Sequence, residues 1–282
     1  FIIKIDKFDI HGGPAKRGYL KSISPISGDE WYFHGHFKND SCMPGTLMAE
    51  ACLQMMAFYM VAVGLTIDKD GWRFEPAPEE HYKFICRGQV VPTTRELSYE
   101  IFVDEIVQNP YPTLYAHVFC ISDGIKAFLC ERLALRLVPD WPLTSMTNII
   151  PQKENLKPAA EYEGFRFDET SIMNCAIGRP SLAFGETFTH YDDKRSPRLP
   201  GPPYLLMSRI RELHAQMGNT KGTPWLIAEY DIPEDAWYFK ENDAETMPYA
   251  VLMEIALQPC GWLSTFTLRD DIKGKDLVFR NL

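Results

Sequence analysis

The sequence predicts an α+β protein in which antiparallel strands wrap one long apolar helix, and it predicts that this unit occurs twice. Three observations carry the prediction. Thr46 to Leu65 is apolar except for Thr46, Glu50, Gln54 and Gly64, long enough for a core helix. Short β-branched and aromatic stretches flank it, set off by turn residues. The pattern around the helix then returns in the last third of the chain.

Phe1 to Ile10 and Tyr19 to Ile26 read as two strands separated by the turn signal Gly12-Gly13-Pro14. Met43-Pro44-Gly45 breaks the chain just before the long helix, and a polar loop containing Pro76 and Pro78 follows it. Extended segments are expected over His81 to Val91, Arg95 to Val107 and Leu114 to Val138. The last carries Asp123-Gly124 and reads as two strands of a hairpin. From Pro139 to about Pro203 prolines recur and no apolar period persists, so this stretch reads as a long linker. Its Arg195-Ser196-Pro197-Arg198-Leu199-Pro200 patch reads as a surface connector rather than a docking site for an acidic carrier.

Beyond the linker, Trp31-Tyr32-Phe33 reappears as Trp237-Tyr238-Phe239, and Met43-Pro44-Gly45 as Met247-Pro248-Tyr249. Glu50 and Gln54 reappear as Glu254 and Gln258, again four apart within an apolar helix. The second copy has no histidine where the first has His36, because Lys240 to Thr246 contains none. Three domains are expected: residues 1–142, a proline-rich linker over 143–202, and a degenerate second copy over 203–282. After the second helix only Lys275 to Leu282 matches a later strand of the first copy, the start of its third. The later strands of that copy are therefore expected in further chain.

Composition narrows the function. A net charge of −9 argues against a nucleic-acid binder. Seven cysteines without a CxxC pair fit reduced thiols and a cytoplasmic location better than a disulfide framework. No signal peptide is visible. A carboxylate and an amide inside the apolar run are costly in lipid, which disfavours a membrane span.

The chemistry concentrates in Trp31-Tyr32-Phe33-His34-Gly35-His36-Phe37, continuing through Asp40 to Met43-Pro44-Gly45, with Glu50 fourteen residues after His36. A histidine neutral near pH 7 can act as a base. A carboxyl desolvated on an apolar helix can hold a proton to donate. A glycine opening a helix offers a backbone N–H to developing negative charge. The bland readings stand beside these. A histidine among aromatic residues is usually structural, as His34, His81, His117 and His214 are read. A Glu-Gln pair on one helix face can be a satisfied core pair. Cys42 lacks a Cys-His-Asp arrangement and is not read as a nucleophile.

These motifs resemble the active-site signature of the β-hydroxyacyl-carrier-protein dehydratases of bacterial fatty-acid synthesis, in particular the branch that also isomerises the double bond. The resemblance continues through Gln54, Lys83-Phe84 and Gly88-Gln89-Val90-Val91-Pro92, over roughly residues 1 to 140. Residues 203 to 282 look like a degenerate copy, and the tandem arrangement is similar to the dehydratase region of polyunsaturated-fatty-acid synthases. The resemblance implies a double hot-dog fold, its second half incomplete here, dehydrating 3-hydroxyacyl chains on an acyl carrier protein. It implies catalytic roles for His36 and for a helix acid, Glu254 or Glu50. Gly45, Gly35, Gln54 and Gln258 would form the oxyanion and substrate-binding set. No metal or diffusible cofactor is implied beyond the carrier's phosphopantetheine. Partners would be the carrier, its acyl thioester and other synthase domains, and a homodimer is compatible with the fold. In that family the histidine and the acid come from opposite hot dogs. If the two halves of this chain pair in that way His36 faces Glu254, the pairing favoured here; if the first half pairs with a hot dog outside this sequence, the acid comes from there. A hot-dog thioesterase and a non-catalytic acyl-binding scaffold are the alternatives.

Overall fold

The computed structural model describes residues 1–139, 159–242, 246–268 and 275–279. They fall into two units. The first takes residues 1–30 and the described residues from Met43 to 139; the second takes Trp31–Cys42 and the described residues from 159 onward.

In the first unit, strand β1 (Lys4–Asp9) pairs antiparallel with β2 (Tyr19–Pro25), whose alternate residues Leu20, Ser22 and Ser24 are buried. The chain returns to this unit as helix α2 (Gly45–Ala62), after the short α1 (Trp31–Gly35) of the second unit. Strands β3 (Trp72–Pro76), β4 (Phe84–Cys86), β5 (Glu96–Val107), β6 (Thr113–Ser122) and β7 (Ile125–Pro139) complete one antiparallel sheet in the order β1-β2-β5-β6-β7-β3, with β4 also on β7. The β6–β7 turn is Asp123-Gly124, both with positive φ (45° and 83°). That is the twist a tight hairpin between right-twisted strands needs. Near its middle β7 carries a bulge with Arg132 at φ 52°. One outer edge of β7 therefore serves two short strands, β4 along Phe128–Cys130 and β3 along Leu135–Pro139.

Helix α2 packs against β2, β5, β6 and β7 and buries side chains around most of its circumference, Leu47, Met48, Cys52, Met55, Met56 and Met60 among them. A helix apolar on all sides is stable only when surrounded, and the curled sheet supplies the surround. By length and composition α2 could cross a membrane; its buried side chains make it the core helix of this sheet. This is the α+β hot-dog architecture that the sequence predicts. Strand β3 was not expected, because a five-residue edge strand ending in Pro76 reads as loop.

The second unit holds more structure than its sequence promises. Strands β8 (Glu161–Tyr162) and β9 (Phe165–Arg166) form a small hairpin. Helix α3 (Glu169–Ala176), capped by Asp168, then α4 (Pro180–Phe184) and a 3₁₀ helix (Glu186–Tyr191) follow. Phe167, Ile172, Phe184, Phe188 and Tyr191 from this stretch share a core with Trp262 and Phe266. Residues 161–202 are thus a packed part of this unit. Elements of two to eight residues are too short for a sequence period to reveal them. The basic patch differs from expectation in the same way, since Ser196, Pro197, Arg198, Leu199 and Pro200 are all buried.

The second copy of the repeat comes next, element by element. Strands β10 (Arg209–His214) and β11 (Trp225–Glu229) form a hairpin. Helix α5 (Trp237–Lys240) follows, then α6 (Tyr249–Phe266), which at 18 residues equals α2. The match extends to detail. Each hairpin carries a register shift, between Ile5 and Lys7 and between Ile210 and Glu212. Each long helix is preceded by a proline with no side-chain cap, Pro44 or Pro248. Tyr32–Phe33 and Tyr238–Phe239 ring pairs both stand 4.7 Å apart.

Candidate active site

The stretch between α1 and α2 is a tight loop. Phe37 and Asp40 exchange backbone hydrogen bonds, Phe37 N–H to Asp40 O at 3.2 Å and Asp40 N–H to Phe37 O at 3.0 Å, and Cys42 N–H donates to His36 O at 2.7 Å. His36 itself is 8% exposed, its ring beside Phe37. Its Nδ1 lies 2.8 Å from the carbonyl oxygen of Cys42. A carbonyl can only accept, so Nδ1 carries the proton and Nε2 keeps the lone pair. Burial lowers the imidazole pKa to about 4, against smaller opposing effects from the Cys42 and His36 backbone and from Asp40. The ring is therefore neutral at pH 7, with one nitrogen able to take a proton. Cys42 Sγ lies 3.6 Å from Nδ1, the nitrogen that already holds a hydrogen. That nitrogen cannot deprotonate the thiol, which agrees with reading Cys42 as no nucleophile.

Helix α6 carries Glu254 (6% exposed) and Gln258 (3% exposed) on one face. The Gln258 amide is held on both sides. Its Oε1 accepts from Leu206 N–H at 2.8 Å, and its Nε2 donates to Tyr204 O at 2.8 Å and to Glu254 Oε1 at 3.2 Å. Because Leu206 fixes which end is oxygen, Glu254 Oε1 is committed to accepting. When the carboxyl is protonated, its hydrogen belongs on Oε2.

The backbone that Gln258 grips leads to the histidine loop. Gly201 N–H donates to Gly35 O at 2.8 Å. A side chain at Gly35 would place its Cβ 2.8 Å from Gly201 O. Glycine is needed there for the close approach of two backbones. Trp31 meets both Trp237, its counterpart in the second copy, and Tyr204, with ring centroids 5.4 and 5.6 Å apart. His36, Gly35, Glu254 and Gln258 thus belong to one unit, tied through Gly201–Leu206.

Gly45, Glu50 and Gln54 belong to the other unit. Gly45 is the first residue of α2, where backbone N–H groups lack intrahelical partners. Gln54 Nε2 donates to Glu50 Oε1 at 3.2 Å, the same distance as in the second copy. Burial raises the Glu50 pKa, partly offset by Gln54. Among the described residues, no group of three or more His, Cys, Asp or Glu side chains is placed to hold a metal ion.

The sequence reading missed the cations around the loop. Lys38 Nζ donates to Ile177 O at 2.6 Å and Gly178 O at 3.4 Å. Arg198 donates to Gly178 O at 3.0 Å and Asn174 O at 3.3 Å. Arg195 pairs with Asp40. The arginines stood in the basic patch, but nothing in the sequence gave the separation over which they act.

The chain is 24% identical to one of the polyunsaturated fatty acid synthase subunits of Thraustochytrium sp., over its whole length and 26% of that protein. It therefore spans about a quarter of the curated relative that it matches. Among solved structures, AziG of S. sahachiroi is similar at a TM-score of 0.33 and 8% identity, covering 49% of this chain and 91% of that one. A hypothetical thioesterase with coenzyme A from Streptococcus pneumoniae gives a TM-score of 0.33 at 9% identity, covering 49% and 86%. Residues 1–131 of the 282 match the family model of the FabA-like domain, and over that span the chain is similar to the FabA-like hot-dog dehydratases.

Proposed function

We propose that this chain dehydrates 3-hydroxyacyl thioesters to 2-enoyl thioesters in fatty-acid or polyunsaturated-fatty-acid synthesis. The observation that carries the reading is the state of His36: buried, neutral, and held as the Nδ1–H tautomer by Cys42 O. Nε2 takes the C2 proton. The C3–O bond breaks as Glu254 gives its proton to the departing hydroxyl, which leaves as water, and a C2–C3 double bond remains. Gly45, through its N–H at the start of α2, is assigned to the thioester carbonyl as charge develops there. Gln258 orients Glu254, and Gly35 allows the loop its close backbone approach. Glu50 and Gln54 are the corresponding pair of the first copy, without a histidine opposite them in the second copy's sequence.

The substrate is carried on the phosphopantetheine arm of an acyl carrier protein, supplied by other domains of a synthase. The reaction as written needs no metal or diffusible cofactor. The test is hydration of a 2-enoyl thioester, the reverse reaction, by the protein and by its His36→Ala variant. The variant should lose roughly 10²–10⁴-fold in rate while keeping its melting temperature. Thioester hydrolysis is followed in the same assay. Hydrolysis without hydration would favour a thioesterase, and a folded His36→Ala protein at full hydration rate would overturn the assignment.

A further inference from the structure

Besides its own internal hydrogen bonds, the histidine loop is held within its unit by residues far away in sequence. Gly35 O is held by Gly201 N–H, on the N-terminal side of His36. Two residues beyond His36, the Lys38 ammonium sits on Ile177 O and Gly178 O, the carbonyls that end α3. A cation at a helix C-terminus satisfies orphan carbonyls and complements the dipole. The same end of α3 receives Arg198, which is 4% exposed and donates to Asn174 O and Gly178 O. Four residues beyond His36, Asp40 pairs with Arg195, whose backbone N–H is itself tied to Asp276. Asp40 also closes the tight turn with Phe37. The loop is thus pinned at residues 35, 38 and 40 by the stretch from 174 to 201.

We propose that the stretch Asn174–Gly201 is part of the catalytic apparatus, with Lys38 and Arg195 acting as positioning residues that set the direction of His36 Nε2. The inference rests on the dehydratase reading given above. It assigns to the region between the repeats a mechanical task. A base displaced by about 1 Å can cost on the order of 10²-fold in rate, so a loop pinned at three points has kinetic consequences out of proportion to its surface exposure.

The experiment is a double-mutant cycle on the full chain, read by hydration of a short 2-enoyl thioester of coenzyme A. Lys38→Met keeps the aliphatic stem and removes the ammonium; Lys38→Arg keeps a donor. Lys38→Met should lower kcat about tenfold with KM within twofold, and Lys38→Arg should recover most of the loss. In the His36→Ala background Lys38→Met should have no further effect, because a residue acting through His36 has nothing left to position. Arg195→Met is measured in the same way and serves as the readout should Lys38→Met fail to fold. An unchanged kcat in a folded Lys38→Met protein would overturn the inference, as would an equal loss with and without His36. If His36→Ala is impaired while both positioning variants are normal, this inference falls and the dehydratase reading stands. If His36→Ala is fully active, the dehydratase reading falls and takes this one with it.

Discussion

The Gln258 amide donates to Glu254 Oε1 across 3.2 Å while its other atoms hold the backbone of Tyr204 and Leu206. In the first copy the Gln54–Glu50 pair has the same separation. The two carboxyls correspond in sequence and in their separation from the paired amide, and the second is placed in the unit that holds His36.

That difference predicts unequal roles. Glu254→Gln keeps the shape but has no acidic proton, and should lower enoyl-thioester hydration at least 10²-fold. Glu50→Gln should stay within about tenfold of the unmodified protein, acting through packing of α2. Both variants avoid a buried unpaired charge, so their melting temperatures should be comparable. A dead Glu50→Gln beside an active Glu254→Gln would reverse the assignment of the acid.

Gln258 should also matter for stability, unlike its counterpart. Gln258→Leu strands Leu206 N–H and Tyr204 O in a buried setting, and each unsatisfied group costs about 1–3 kcal/mol. Urea unfolding should therefore show a loss of roughly 2–6 kcal/mol. Gln54 is half-buried, and its side chain donates to Glu50. Gln54→Leu should cost about 1 kcal/mol or less. Equal losses for the two would show that the bonds from Gln258 to Tyr204 and Leu206 contribute nothing.

The His36 pKa sets two pH dependences. Its neutral form is the base, so the acid limb of kcat/KM should fall near pH 4 rather than near 6.5. Stability moves in the same window. Between pH 6.5 and about 4 the unfolded chain binds a proton at this position that the folded chain refuses, so stability drops as pH falls through that range. The full effect is on the order of 3 kcal/mol. Other groups titrate there too, so the measurement is the difference between the protein and His36→Ala, in which this component should vanish. Identical pH–stability curves for the two would show that His36 keeps an ordinary pKa when folded.

Gly35→Ala tests the close approach of the loop. Its Cβ would meet Gly201 O at 2.8 Å, and backbone cannot rotate aside. The loop must lift, at a cost of about 1–3 kcal/mol, and hydration should fall by more than stability alone explains. Wild-type rates in Gly35→Ala would remove the need for glycine here.

Much of this was legible in the sequence, and the boundary has physical causes. The long helix announced itself because a segment buried on nearly all sides must be apolar on nearly all sides. The Asp123-Gly124 hairpin announced itself because few residue pairs tolerate positive φ twice. The repeat showed through Trp31 and Trp237, Pro44 and Pro248, Glu50 and Glu254. Residues 161–202 did not, because α3 and α4 are too short to print a period, and Arg198 looks like a surface charge until Asn174 O and Gly178 O are seen around it. The clamp on the histidine loop was invisible for a related reason: backbone carbonyls such as Gly35 O and Ile177 O are partners that every residue has, so no residue type marks them.

The reach of that clamp bears on how the protein acquires its site during synthesis. Lys38 finds its carbonyls 139 residues further along the chain, and Asp40 finds Arg195 at a separation of 155. Closing loops of this length is slow, although the entropic penalty grows only logarithmically with length. A ribosome that has released the first hot dog has released its helix and sheet, but nothing yet for residues 35, 38 and 40 to hold. The base would gain its orientation only after the stretch to Gly201 has emerged, so folding of the first half and onset of activity are separate events in time.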